Sequence, residues 1–186
     1  MTHFALLTEN TAPDASQPYL KKVVAKNGFL PNLVAVLAHA PTALETYLTV
    51  GEINGRSSLS LIEREVIQIT AASIHGCEFC VAGHTAITSK QTDLPKTVIA
   101  KLQERGHTGD TKIDALVSFV RSVIASRGAV SNGELEDFIN AGFVQAQALE
   151  VVLGVSLATL CNFTNNLAKN DINPQLQAFR PGVFQS

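Results

Sequence analysis

Cysteine is scarce in this chain: there are three, Cys77, Cys80 and Cys161, in 186 residues. An odd and sparse count excludes the disulfide-stapled scaffold of small secreted domains. Charge is scarce as well. Asp, Glu, Lys and Arg make up 16% of the residues against 46% apolar ones, below the quarter or so usual for soluble domains. Part of the surface is therefore expected to be covered by other subunits. With a net charge of -2 and no basic cluster carrying interleaved aromatics, no global attraction to nucleic acid or an anionic membrane is expected, and neither is expected as a partner. The stretch Met1 to Glu9 has no basic region ahead of a long apolar core, so no secretory leader is expected and the cytoplasm is the expected location. Long linkers, low-complexity runs and fixed-period repeats are missing too, and the chain reads as one domain over residues 1–186.

No alternating strand bounded by turn residues can be found, whereas helix starts and stops recur, so the expected fold class is all-α, a multi-helix bundle. Pro31 suits the first turn of a helix over Asn32 to His39. A short helix is expected from Pro41 to just before Gly51, with Leu44, Tyr47 and Leu48 on one face. Ser60 and Glu63 form a capping box that opens a helix to about Ile74, with Gly76 as terminator. A further helix carries Cys77 to about Ile87. Asp93 is read as the cap of another that ends at Gly106, with Val98, Ile99 and Leu102 inward.

Thr111 opens a longer helix whose Ile113, Leu116, Val117, Val120, Val123 and Ile124 recur at three-and-four spacing. Ser131 and Glu134 form a second capping box. The last helix is expected over about Phe143 to Leu167. Its most apolar part, Ala146 to Leu160, is broken by Glu150 and followed by Asn162, Asn165 and Asn166, so it reads as a core helix and not a membrane span. The first 30 or so residues and those after Asn170 carry no regular pattern.

The chemistry concentrates in one segment. Cys77 and Cys80 are three positions apart, His84 follows four later, and Glu65 stands one helix upstream. On a helix, residues at these spacings are neighbours, so Cys77, Cys80 and His84 share a face. The Cα atoms of an i,i+3 pair lie about 5 Å apart, within disulfide range. Gly76 places Cys77 at a helix N-terminus, where free amides and the macrodipole favour a thiolate. His84 can accept or return a thiol proton. A thiolate that attacks a peroxide becomes a sulfenic acid, which a second thiol condenses to a disulfide before further oxidation. Glu65 has Leu61, Ile62, Ile69 and Ala72 around it, so its carboxylate points along an apolar flank; such a group needs a partner, and Cys80 or His84 is the expected one.

These residues carry a resemblance. Glu-x11-Cys-x2-Cys-x3-His, met here by Glu65, Cys77, Cys80 and His84, is similar to the signature of the alkylhydroperoxidase D (AhpD) group of the carboxymuconolactone decarboxylase superfamily. Phe29-Leu-Pro31-Asn32 and Ala38-His39-Ala-Pro41 resemble its longer, peroxidase-related branch. The motif core spans about residues 58–90. The resemblance implies an AhpD-like helical domain, self-association as trimers or hexamers, and reduction of a hydroperoxide substrate. It implies that Cys80 meets the peroxide, Cys77 resolves it, and Glu65 with His84 relays protons. A dithiol reductant, a lipoyl group or a thioredoxin-like protein, would re-reduce the disulfide, and no cofactor is implied. Members of the group carry a second histidine just before the later cysteine. Phe79 stands there in this chain, and His75, beyond Gly76, is not taken as its substitute.

Other readings compete. Cys77, Cys80 and His84, with His75 as a fourth ligand, could bind structural zinc, but such ligands usually come from two separated segments, and no metal is expected. Cys161 among Leu157, Leu160 and Phe163 reads as a small buried hydrophobe. His3, His39 and His107 are read as terminal, helix-end and loop residues. The alternatives for function are a redox sensor that uses the same disulfide as a switch and a carboxymuconolactone decarboxylase-type enzyme, which has no need of a dithiol.

Overall fold

A computed structural model describes residues 2–184, and among these there are nine α-helices and no strand. They are α1 (Gln17–Asn27), α2 (Asn32–Leu37), α3 (Pro41–Asn54), α4 (Leu61–Ile74), α5 (Glu78–Gln91), α6 (Lys96–Gln103), α7 (Thr111–Ser126), α8 (Asn132–Asn140) and α9 (Gln145–Ala168). A 3-10 helix follows at Pro174–Phe179.

α4 is the axis of the bundle and packs against α5, α7 and α9. Its burial explains its sequence: every residue from Glu65 to Ser73 is buried, polar ones included. One core cluster gathers Leu20, Val34, Leu37 and Leu44 with the Cys77–Val81 turn and Leu157. The other holds Val66, Ile67 and Ile69 against Ile99, Leu116, Val120 and Val151. Phe119, Phe138 and Phe143 stack in series there, with centroids 4.2 and 4.3 Å apart.

Local chemistry sets the helix ends. Ser60 Oγ accepts from the Glu63 amide at 3.2 Å, and Glu63 accepts from the Ser60 amide at 2.8 Å. Ser131 and Glu134 repeat the device for α8. Several boundaries differ from the sequence reading; α2 stops at Leu37, α5 runs on to Gln91 and α6 stops at Gln103. The segment before residue 30 contains α1, anchored by buried Leu20 and Val23 and by Ser16 Oγ donating to Ala38 O at 2.9 Å. α3 runs through Gly51, because a single glycine with open space around it weakens a helix without ending it. α6 starts after Pro95, and Asp93 does not cap it. The residues after Asn170 form the 3-10 helix, tied back by Asn32 and Asn173.

Candidate functional site

The site begins with the end of α4. Gly76 takes a left-handed φ of 68°, which glycine adopts without strain. Around it the Cys77 amide donates to Ala72 O at 2.9 Å and the Gly76 amide to Ser73 O at 3.4 Å, the paired bonds that close a helix and reverse the chain. Cys77 thereby becomes the N-cap of α5, and its Sγ accepts from the Cys80 amide at 3.4 Å. A sulfur occupies the place where serine or aspartate usually satisfies the first turn.

Cys77 and Cys80 are both reduced and both buried, at 2% and 5% exposure. The hydrogen bond between the two thiols is the largest influence on each. As acceptor of the Cys80 proton, Cys77 is drawn below the ordinary thiol range, against burial and with help from the Cys80 amide, Asn165 and the charge of His84. As donor, and as a buried group beside Cys77, Cys80 is pushed well above it. Of the two thiols, Cys77 is thus the easier to ionise and Cys80 the one that keeps its proton.

Glu65 and His84 meet across α4 and α5: His84 Nδ1 is 2.8 Å from Glu65 Oε2. Glu65 is buried at 7% exposure. Burial opposes a charged imidazole, yet the Glu65 carboxylate, with a smaller effect from Cys77, raises the His84 pKa. The pair lines a cavity of about 1020 Å³ with Tyr47, Leu48, Gln68 and Leu157. Cys77 lines a separate cleft of about 540 Å³ with Phe79, Asn165, Lys169, Asn170 and Arg180. The two openings share no lining residue.

Two residues near the site, Asn165 and Tyr47, were given no role from the sequence, and Cys161 was read as a small buried hydrophobe. Asn165 donates from Nδ2 to Cys80 Sγ at 3.2 Å. Tyr47 lines the larger cavity, and its phenol is pushed up by burial first and then by Cys161, Cys80 and Glu65. Cys161, buried in the wall of that cavity, is pushed up to about 12, mainly by burial, and stays protonated. The Asn162, Asn165, Asn166 spacing on a helix holding a cysteine was the available signal for the first; α3 gave none for Tyr47 beyond its apolar face.

The remaining histidines stand apart. His75 caps the C-terminus of α4 and meets Phe163 edge-on at 5.1 Å, and burial lowers its pKa. His39 bonds Ala5 O at 2.8 Å, and His107 lies 3.6 Å from Asp114 in solvent. Among the described residues no group of three or more His, Cys, Asp or Glu side chains converges on a metal position. The buried amide donor and paired thiols suit redox chemistry at sulfur; the Glu65–His84 pair suits proton transfer.

Residues 37–103 match the model of the Carboxymuconolactone decarboxylase family, and that span contains Glu65, Cys77, Cys80 and His84. No curated protein matches the chain. Solved structures do. A peroxidase-related protein from Ralstonia eutropha JMP134, described as an alkylhydroperoxidase AhpD core, superposes with a TM-score of 0.85 at 20% identity over 96% of this chain and 95% of its own. A peroxidase-related protein from Silicibacter sp. TM1040 gives 0.81 at 20% identity, over 99% and 96%. The debrominase Bmp8, in complex with 2,3,4-tribromopyrrole, gives 0.75 at 14% identity, over 96% and 97%. At these identities the likeness is one of fold.

Proposed function

We propose that this chain is a member of the AhpD-like group of the carboxymuconolactone decarboxylase superfamily, as the family match over residues 37–103 and the shared fold support, and a thiol-dependent peroxidase that reduces hydroperoxides through a Cys77/Cys80 dithiol–disulfide cycle. The observation that carries the reading is the placement, on adjoining helices, of a buried reduced cysteine pair beside a Glu65–His84 pair at 2.8 Å.

In this reading Cys80 passes its proton to Cys77 through their shared hydrogen bond and becomes the attacking thiolate. The sulfur with the higher pKa is the stronger nucleophile once ionised. It takes the distal oxygen of the hydroperoxide, the O–O bond breaks, and the departing alkoxide takes a proton from His84, leaving an alcohol. Cys77 then attacks the sulfenic sulfur, the S–S bond forms, and hydroxide leaves as water with the second proton. The balance is two thiols and one hydroperoxide to one disulfide, one alcohol and one water. Glu65 holds His84 protonated and turned toward the site. Phe79 leaves the relay with one imidazole fewer than the group's usual pattern.

In this reading the larger cavity, lined by Glu65 and His84, admits the peroxide toward Cys80, which itself lines neither opening, and the cleft at Cys77 admits an external dithiol. Self-association is part of the proposal. Leu149, Val152, Phe163 and Leu167 are exposed on α9, a helix with length and hydropathy enough to cross a membrane; a second copy of this chain would cover that face.

A second reading takes its support from the tyrosine-flanked cavity of about 1020 Å³, roomy enough for an aromatic ring, and from the debrominase of similar fold. A dithiol can supply the two electrons that replace bromine by hydrogen, with bromide leaving. The deciding assay supplies a dithiol reductant with either a hydroperoxide or a brominated pyrrole. Repeated peroxide turnover, lost in Cys77→Ser and Cys80→Ser, supports the first reading. Turnover of the bromopyrrole alone replaces it with the second, and one oxidation per protein molecule leaves a redox sensor.

A further inference from the structure

α9 turns a polar face into the core beside the cysteines. Asn162 and Asn165 are 1% and 3% exposed, and a buried carboxamide is costly unless each end finds a partner. Asn165 finds both. Its Nδ2 donates to Cys80 Sγ at 3.2 Å, and its Oδ1 accepts from Asn170 Nδ2 at 2.7 Å. Asn170 lies beyond the end of the helix and reaches back because Lys169 adopts a left-handed φ of 51°. The turn is held by the Asn170 amide donating to Asn165 O at 3.2 Å. With its oxygen taken by a donor, the Asn165 side chain can present only its NH2 end to the sulfurs.

That arrangement distinguishes the two charge states of the pair. A neutral thiol is a weak acceptor, while a thiolate is a full anion for which a fixed N–H donor in a dry site is worth far more. The Asn165 amide also acts on Cys77 as well as on Cys80, so it serves the charge on whichever sulfur bears it. Other groups facing the pair are His84 on α5, Glu65 on α4, Tyr47 on α3 and Cys161 on α9; Glu78, Lys169, Asp171 and Arg180 stand at the open cleft. Among those with buried side chains near the sulfurs, Asn165 alone is a neutral donor that cannot titrate.

We propose that Asn165 is a further residue of the site, a fixed amide donor that holds the anionic charge of the reduced cysteine pair, and that Asn170 is the positioning residue that aims it. The amide does for a buried sulfur anion what oxyanion-hole donors do for oxygen. The proposal rests on the reading of Cys77 and Cys80 as a working dithiol, and it is independent of the oxidant.

The test is a pH titration of thiolate ultraviolet absorbance in the fully reduced protein, paired with the rate of alkylation by iodoacetamide at neutral pH. Asn165→Leu keeps the shape and removes the donor. Its titration midpoint is expected to rise by about one pH unit or more, the size of a lost charge-assisted hydrogen bond, with alkylation slowed about tenfold. Asn170→Ala is expected to shift the midpoint in the same direction by less, and it carries the test alone if Asn165→Leu does not fold. Asn166→Ala, which removes only a hydrogen bond to His75 O at 2.8 Å, is the control and is expected to leave the midpoint in place.

A midpoint unmoved in Asn165→Leu overturns the proposal. So does an equal shift in Asn166→Ala, since loosening of the turn would then be the cause; so does an unmoved Asn170→Ala where it stands alone. The titration needs no peroxide. A shifted titration in a protein that consumes none would sink the peroxidase reading and leave the amide donor standing, while normal turnover with an unmoved midpoint does the reverse.

Discussion

Glu65 and His84 are joined by one hydrogen bond, and their charges match only while the imidazole keeps its proton. The sign of the pH effect follows. The His84 pKa is raised in the folded chain, so the pair's stabilisation is complete below the ordinary imidazole range, about 6.5. It is lost as pH climbs through the raised folded value. Cys77 works the other way: its pKa is lowered, so its contribution grows with pH and is lost as pH falls through the folded value. Comparing wild type with Glu65→Gln isolates the first effect. The stability difference between the two, from urea titrations at several pH values, is expected to be largest under mildly acid conditions and to shrink as pH rises above neutral. Turnover in Glu65→Gln is expected to fall by about two to four orders of magnitude, the usual contribution of general acid–base groups; a rate equal to wild type would remove Glu65 from the relay.

At the scale of the helices, α4 and α9 cross where Gly154 lies against Ile67. A Cβ on Gly154 would stand 3.0 Å from Ile67 Cγ2. Ile67 is 1% exposed and β-branched on a central helix, so it has nowhere to go. Gly154 O also accepts from Gln68 Nε2 at 2.9 Å, which fixes the register of the crossing. Alanine gains about 1 kcal/mol in helix propensity, but overpacking costs about 1–3 kcal/mol. Gly154→Ala is therefore expected to be destabilising by about 1 kcal/mol in urea titration, and Gly154→Val by several times that. Ser60→Ala, which removes the cap of α4, is expected to cost about 1 kcal/mol by the same measurement.

The same scale shows why some of this was legible beforehand. The capping boxes at Ser60 and Ser131, and Gly76 as terminator, are local signals in which a side chain answers its own backbone, so α4 and α8 could be read directly. Glu65 and His84 were legible because both lie on helices joined by one tight turn. α1 was not, because only Leu20 and Val23 are buried and its anchor is Ala38, on another segment. Asn165 stood out only as one of three asparagines on an apolar helix, and its partner could not be read, because 85 positions separate it from Cys80. Tyr47 was not legible either, because its nearness to Glu65 and Cys161 comes from the packing of α3 against α9. Local chemistry is visible in order along a chain; contacts made by tertiary packing are not.

At the scale of the whole molecule, the low charge content and the apolar outer face of α9 belong together. Leu149 and Leu167 are 74% and 67% exposed, and with Val152 and Phe163 they form an apolar stripe of the kind that marks an interaction surface. The wild-type chain is expected to sediment as an oligomer. The double substitution Leu149→Glu and Leu167→Glu is expected to yield a folded monomer, since neither side chain contributes to the core. A monomeric wild type in analytical ultracentrifugation would refute this assembly.

Cys77 opens on the smaller cleft while Glu65 and His84 open on the larger cavity, and the two share no lining residue. Under the proposed cycle that separation would work as an airlock, the spent compound leaving by one door while its successor waits at the other. Steady-state velocities measured against both reactants will then give parallel double-reciprocal lines, with no inhibition by an excess of either.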